Sequence, residues 1–436
     1  MKVLKKVAFK TLGCRLNQYE TDALVTSFHN AGYHIVDFGE EADVTVINTC
    51  TVTNQSDVKS RNTINQAAAK SPEGLVVVTG CMADHYKQKL ESQEQITYVV
   101  DNDHKSQIVS LVDGHFAGEI LHPDQVQGDR FNFDTVQKSL HTRTSVKIQD
   151  GCDNFCTFCI IPSVRGRAIS RPLDDILDNV RRVVDNGFKE LVITGVNIGR
   201  YEAAGLDFEG VLEKVLEVPG DFRVRISSLE PDGFSDRFHE LFTHPKLAPH
   251  LHLCLQSGSE QILLKMRRMY SAQYFMETVE RFREAIPDFN FTTDIIVGFP
   301  GETDEDFEKT LDFAQRARFA HIHTFRYSRR SGTRADRMPD QVPGKVMTSR
   351  SEEIRKLSES LRLEYMQSMI GKKQRVLIEK VSGKMMASGY GEHYLPVEFL
   401  TDDNTKNRFA DVILTGIKEG AEPVMVGKDS SLQSER

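Results

Sequence analysis

Six of the seven cysteines fall into two groups of three, and that grouping constrains the chain more than any other feature. Cys152, Cys156 and Cys159 crowd into the run GCDNFCTFC, with three and then two residues between them. Cys14, Cys50 and Cys81 are far apart, yet each closes a run of strand-forming residues: KKVAFKTLGC, ADVTVINTC and LVVVTGC. Helical patterns from about Gln18 to Tyr33 and from Val58 to Lys70 fill the intervals, which predicts successive parallel strands of one open sheet. Parallel strands end at the same edge, where open α/β sheets bind ligands, so three thiols converge there. A single buried cysteine at a strand end is unremarkable. Three at equivalent points of neighbouring strands are better explained by one shared metal cluster.

An odd cysteine count in a chain of 436 residues makes disulfides a poor explanation. The opening MKVLKKVAFK puts lysines inside what would have to be a signal peptide's apolar core, and it alternates as a strand does. A reducing, cytoplasmic setting follows. No apolar run approaches the roughly 20 residues of a membrane span. The formal net charge of −8 argues against holding nucleic acid by bulk electrostatics and leaves room for local basic patches, so any RNA contact must be focal.

The pattern predicts an α/β chain of three domains. Residues 1–135 form the open parallel sheet, with a polar linker from about Pro123 to Thr142. Residues 136–369 carry six strands, SVKIQDG, ELVITGVNI, RVRISSL, HLHLCLQS, FTTDIIVGFP and HIHTFRYS, which suggest a partial (β/α)6 TIM-like barrel. A helix from about Thr348 to Met369 closes it with Ile354, Leu357, Leu361 and Leu363 inward. Residues 370–436 change to short β patterns of balanced charge and read as a small antiparallel β-barrel.

Three thiolates on one loop leave one iron of a cubane without a protein ligand, an open position where a substrate coordinates. A structural zinc loop wants four ligands, and no fourth cysteine or histidine lies close in sequence. The spacing is the hallmark of radical S-adenosylmethionine (SAM) enzymes. Phe158 is placed to pack beside an adenine, or is a buried structural ring. Gly195 and Asn197, in TGVNIG, form a turn that lets backbone approach a cofactor, or an ordinary strand–helix turn. Ser228, Glu230, Gln256, Asp294 and Gly298, at or near the ends of later strands, are cofactor contacts or barrel-lining groups. Cys254 alternates onto the face of His252 and Gln256, outside both triads. Basic residues gather at Lys265, Arg267 and Arg268 and again at Arg326, Arg329, Arg330, Arg334 and Arg337, as RNA contacts or solvated faces.

Taken together, TLGCRLNQYET, INTCTVTNQSDVKSRNTI, VVTGC, IQDGCDNFCTFCIIPSVRGRAISRP, ITGVNIG, LQSGSEQILLKMRR and TDIIVGFPGETDEDF resemble the methylthiotransferases through all three segments. TLGC with NQYET and CTVTNQSDVKSR is similar to the branch that modifies N6-threonylcarbamoyladenosine beside the anticodon of tRNA. The resemblance implies two 4Fe-4S clusters, a radical SAM domain and a C-terminal TRAM domain. Cys152, Cys156 and Cys159 would hold the radical-generating cluster, and Cys14, Cys50 and Cys81 the auxiliary one. That second cluster's open iron would carry sulfur, methylated by one SAM before another supplies the radical that attacks C2. A flavodoxin- or ferredoxin-type electron donor, a sulfur source and tRNA are the implied partners. The rival readings are a sibling acting on isopentenyladenosine or on a ribosomal-protein aspartate, and a non-catalytic iron-sulfur RNA-binding or sulfur-carrier protein. The chain departs from the family pattern at the arginine of HTFRYS, at Cys254, and in the neutral charge of the last segment.

Overall fold

The structure, a computed structural model, describes residues 4–136, 142–383 and 385–430; the first three residues of the predicted opening strand and residues 137–141 of the predicted linker lie outside them. The chain divides into two compact units, one of Met1–Asn186, Thr194–Gly205 and Ser328–Asp336, the other of Gly187–Ile193, Leu206–Tyr327 and Arg337–Arg436.

In the first unit, strands β1 (Lys6–Thr11), β2 (His34–Val36), β3 (Val44–Thr49), β4 (Leu75–Gly80) and β5 (Tyr98–Val100) form one sheet in the order β2-β1-β3-β4-β5. Every pairing is parallel, with Val7 opposite Val44 and Val44 opposite Leu75. β3 and β4 are buried on both faces, as their unbroken apolar runs require. Alternation splits them: Val44, Val46 and Val77 pack with Leu24 and Phe28 of helix α1 (Arg15–Asn30), whereas Ile47, Val76 and Val78 pack with Ile64 and Ala67 of helix α2 (Asn54–Lys70). Both helices start earlier than periodicity suggests. Cys14 is the N-cap of α1, and the Thr53 hydroxyl caps α2 by accepting the Ser56 N–H at 3.1 Å. The strand Arg143–Lys147, the Cys152–Cys159 loop and the helix Leu173–Asp185 complete this unit.

The second unit holds the other five strands expected of the central segment. Arg223–Ile226 pairs in parallel with Glu190–Thr194, and Asn290–Val297 pairs in parallel with both His250–His252 and His321–Arg326. A helix over Gly344–Ser368 begins directly after Pro343 and buries Ile354 and Leu361, while Leu363 stays exposed. Five strands, Lys373–Ser382, Met386–Tyr390, Pro396–Leu400, Phe409–Lys418 and Val424–Asp429, close a small barrel around Val376, Val397, Phe399, Val412 and Met425. One of its seams, Pro396–Leu400 with Val424–Asp429, is parallel rather than antiparallel.

Buried charge fastens this barrel within its unit. Glu190 accepts from Arg223 Nε at 2.6 Å and from Arg225 Nε at 3.1 Å. The remaining guanidinium N–H groups donate to the carbonyls of Arg375, Tyr390, Gly391 and Glu392. His393 follows on the same turn and pairs with Gln374. Burial pushes its imidazole down to about 4 from 6.5. The folded state therefore holds His393 neutral while the unfolded chain takes up a proton first. Its contribution to stability is complete above about pH 6.5 and is lost as pH falls towards 4. His393→Gln should flatten that part of the pH profile by up to about 1.4 kcal/mol per pH unit, read from urea midpoints between pH 7 and 4.

Candidate active site

Cys14, Cys50 and Cys81 emerge together because β1, β3 and β4 are adjacent and parallel, and each cysteine follows the end of its strand. Cys50 and Cys81 are buried and Cys14 is exposed. A Cβ on Gly13 would lie 2.8 Å from Cys50 Cβ and 3.1 Å from its sulfur, so the loop bearing Cys14 runs against Cys50. Gly80, before Cys81, sits at φ +92°, and a Cβ there would come within 2.4 Å of the Thr49 carbonyl. Only glycine allows that approach. Asn17 joins the first two loops, donating to the carbonyls of Leu12 at 2.8 Å and Thr49 at 3.0 Å. The Cys50 loop is fixed by Asp57, which accepts from Thr51, Tyr86 and the buried Arg330. Arg330 also donates to Thr51 and Asn54.

On the second cysteine loop, Cys159 N–H donates to the Cys156 carbonyl, and Cys152 N–H to that of Gly166. Gln149 fastens this loop to the Gly195 turn. Its amide nitrogen donates to the carbonyls of Asp150 and Gly151, and its oxygen accepts the N–H of Val196 at 3.1 Å and of Asn197 at 2.8 Å. Asn197 Nδ2 then points at Cys152 Sγ from 3.8 Å. The segment after Cys159 covers the other triad, for Ile160 and Val164 pack on Cys81.

Beside Cys81 lies a buried charge network. Arg165 donates to Glu20, Asp150 and Asn17 at 2.7–3.2 Å, Lys105 donates to Glu20 at 2.5 Å, and Lys147 pairs with Glu20 and Asp150 at 3.1 and 2.6 Å. All five charged side chains are at most 1% exposed. Burial opposes ionisation of Glu20, but Arg165, Lys105 and Lys147 overcome it and hold the carboxyl well below its usual range. Asp150 is likewise held down, against burial, by Lys147 and Arg165.

Burial pushes the Cys81 thiol up to about 11 and raises Cys50 too, although Arg165 and Lys105 favour the Cys81 thiolate. Such thiols stay protonated at neutral pH unless a cation binds them. The donor chemistry therefore fits a metal cluster: three cysteines at neighbouring strand ends in one set and three on a single loop in the other, with the cations Arg165 and Lys105 beside Cys81.

The other residues singled out from sequence are placed as follows. Phe158 is half-buried in the first unit. In the second, Glu230 pairs with Arg268 at 3.0 Å, Gln256 is buried at φ +67°, and Ser228 is half-buried. Gly298 donates its N–H to Glu302, and Asp294 lies 3.3 Å from His252. Lys265 donates to the Gly301 carbonyl, Arg267 is exposed and Arg268 buried. Arg326 donates to Thr348 and Arg329 pairs with Asp336; Arg334 is exposed. Arg330, by contrast, spends its guanidinium inside the Cys50 loop. Asn17, Glu20, Gln149, Asp150 and Arg165 escaped sequence reasoning, although TLGCRLNQYE and IQDGC place them beside the cysteines.

Replacing Arg165 by Met should leave Glu20 and Asp150 without their main partner and destabilise the fold by about 3–5 kcal/mol. Thermal denaturation would register it as a lowered Tm, and an unchanged Tm would mean the network does not hold the two loops together.

The Radical SAM superfamily matches residues 146–314, and the Uncharacterized protein family UPF0004 matches residues 6–101. A solved radical S-adenosylmethionine methyltransferase, TsrM from Kitasatospora setae, shares the fold at a TM-score of 0.54 and 15% identity, covering 74% of this chain and 75% of that one. The threonylcarbamoyladenosine tRNA methylthiotransferase MtaB of Bacillus subtilis is 36% identical over 97% of this chain and 96% of its own. Its Thermotoga maritima counterpart is 35% identical over 95% and 96%. A tRNA-2-methylthio-N(6)-dimethylallyladenosine synthase of Syntrophotalea carbinolica is 33% identical over 86% and 89%. With these likenesses running through both cysteine triads, the chain belongs to the radical SAM tRNA methylthiotransferase family.

Proposed function

We propose that this chain adds a methylthio group to C2 of N6-threonylcarbamoyladenosine beside the anticodon of tRNA. The observation that carries the reading is that both cysteine triads lie in one unit, with Ile160 and Val164 of the segment after Cys159 packed on Cys81. Relatives named for threonylcarbamoyladenosine are 35–37% identical to the chain, against 30–34% for those named for the dimethylallyl nucleoside. Cys152, Cys156 and Cys159 would hold the 4Fe-4S cluster that binds SAM, and Cys14, Cys50 and Cys81 the second. Bound there, the clusters and SAM supply the one-electron chemistry that an aromatic C–H bond demands and an open iron at which sulfur is presented.

The chain's own groups do the rest. Gln149 keeps the Gly195 turn against the first cluster loop, and Asn197 directs an amide N–H at Cys152 sulfur, which stabilises negative charge there. Phe158, Gly195, Asn197, Ser228, Glu230, Gln256 and Gly298 are the candidate SAM contacts of this reading. Lys265, Arg267, Arg326, Arg329 and Arg334 carry their charge at the surface, where tRNA phosphates are met. A threonyl carboxylate calls for a guanidinium, and this arginine group offers one. The reading divides the chain into a cluster domain over 1–135, a radical SAM domain over 136–369 and a TRAM domain over 370–436. It places the reaction in the cytoplasm, with a flavodoxin- or ferredoxin-type electron donor and a separate sulfur source. Among the described residues no helix is long and apolar enough to cross a membrane.

Nucleoside mass spectrometry after anaerobic reaction of the reconstituted, reduced protein with SAM, a sulfur source and tRNA tests this. A methylthio gain on threonylcarbamoyladenosine is expected; a gain only on isopentenyladenosine would overturn the substrate. Cys156→Ala should abolish 5′-deoxyadenosine formation, whereas Cys50→Ala should keep it and lose the methylthio product.

A further inference from the structure

The second unit holds a donor cluster apart from the six cysteines of the two triads. Along HLHLCLQS, Leu251, Leu253 and Leu255 are fully buried on one face, while His252 and Cys254 share the other. On the neighbouring strand Asn290–Val297, Phe291, Thr293 and Ile295 are buried and Asp294 is partly exposed. The ligand atoms of His252, Cys254 and Asp294 all lie within 4.8 Å of one another. His252 Nε2 stands 3.3 Å from Asp294 Oδ1. That exceeds the usual hydrogen-bond length of about 2.9 Å. It matches the edge of roughly 3.3 Å between two ligands of a tetrahedral zinc with bonds of about 2.0–2.1 Å.

The surroundings suit an ion. Thr292 Oγ1 holds His252 Nδ1 at 2.9 Å, fixing the ring so that Nε2 faces the thiol and the carboxylate. His323 is opposite Asp294 in the strand register, with its ring centroid 5.5 Å from that of His252. A thiolate, a carboxylate and a neutral imidazole together carry two negative charges, which a divalent cation cancels. Sulfur, nitrogen and oxygen in one set select a borderline metal over calcium or magnesium.

We propose that His252, Cys254 and Asp294 form a three-residue site for a divalent ion of zinc type, its fourth position left to water or to a turn of the His323 side chain. Binding forms one metal–sulfur bond and releases the Cys254 proton to solvent; no redox change is involved. The site lies one alternation below Gln256 on its strand, and Asp294 is thereby committed to the ion. Nothing in this depends on which nucleoside is modified.

The test uses the full-length, cluster-loaded protein, given zinc and then passed over a chelating resin under anaerobic conditions. Wild type should retain roughly one zinc per chain by elemental analysis, and zinc-edge absorption should show a single sulfur among nitrogen and oxygen neighbours. Cys254→Ser and His252→Ala should each retain at least about tenfold less zinc with cluster iron unchanged. The absorption spectrum of wild type stands even if a variant misfolds. No retained zinc in wild type, retention in both variants equal to that of wild type, or a sulfur-rich shell marking the cluster cysteines would each overturn the proposal.

Discussion

A guanidinium that is only 1% exposed must have its charge answered and its donors used, and Arg165 meets that demand with side chains from two other parts of the first unit. Asn17 and Glu20 belong to the helix that starts at Cys14, Asp150 precedes Cys152, and Arg165 itself follows Cys159. Lys105 joins from beyond β5. Moving any of these loops would leave a buried charge unpaired, which costs several kcal/mol, so the loops are held in one arrangement before any metal arrives. Three cations face two carboxylates. The surplus positive charge falls on the Cys81 side, where Arg165 and Lys105 favour the thiolate that burial would otherwise suppress.

The second unit uses the same device for a different end. Glu190 lies fully buried between Arg223 and Arg225, and their outer N–H groups meet backbone carbonyls of the closed five-stranded barrel. Carbonyls carry no full charge, so this attachment depends on geometry rather than on salt. The aromatic group Phe238, Phe242, Phe282, Phe289 and Phe291 packs the outer layer of this unit in edge and tilted contacts. Polar side chains such as His252, Cys254 and Asp294 are left to the opposite face of the strands.

Much of this could be read from the chain itself because period and position encode it. Runs such as ADVTVINTC declare a strand buried on both faces, and ending three such strands on cysteine places the thiols at one edge. All six strands of the central segment form, as do the β strands of the last. What stayed hidden was polar burial. Glu20 and Arg165 are far apart in sequence, and nothing local distinguishes them from solvated charges. Arg330 read as one of a basic surface run, yet Asp57 and Thr51 draw it into the Cys50 loop. Apolar periodicity puts the helix starts at about Gln18 and Val58, whereas the helices begin at Arg15 and Asn54; for the second, the Thr53 cap rather than periodicity sets the start.

Two separate clusters on two triads are the core of this account, and the most direct test is iron counting with Mössbauer spectroscopy on a variant carrying Cys14→Ala, Cys50→Ala and Cys81→Ala. The reconstituted wild type should hold about eight irons per chain and the variant about four, still as a 4Fe-4S cluster that shifts its spectrum when SAM is added. A variant that keeps the full complement of iron, or that loses both clusters while remaining folded, would contradict the assignment of an independent cluster to each triad.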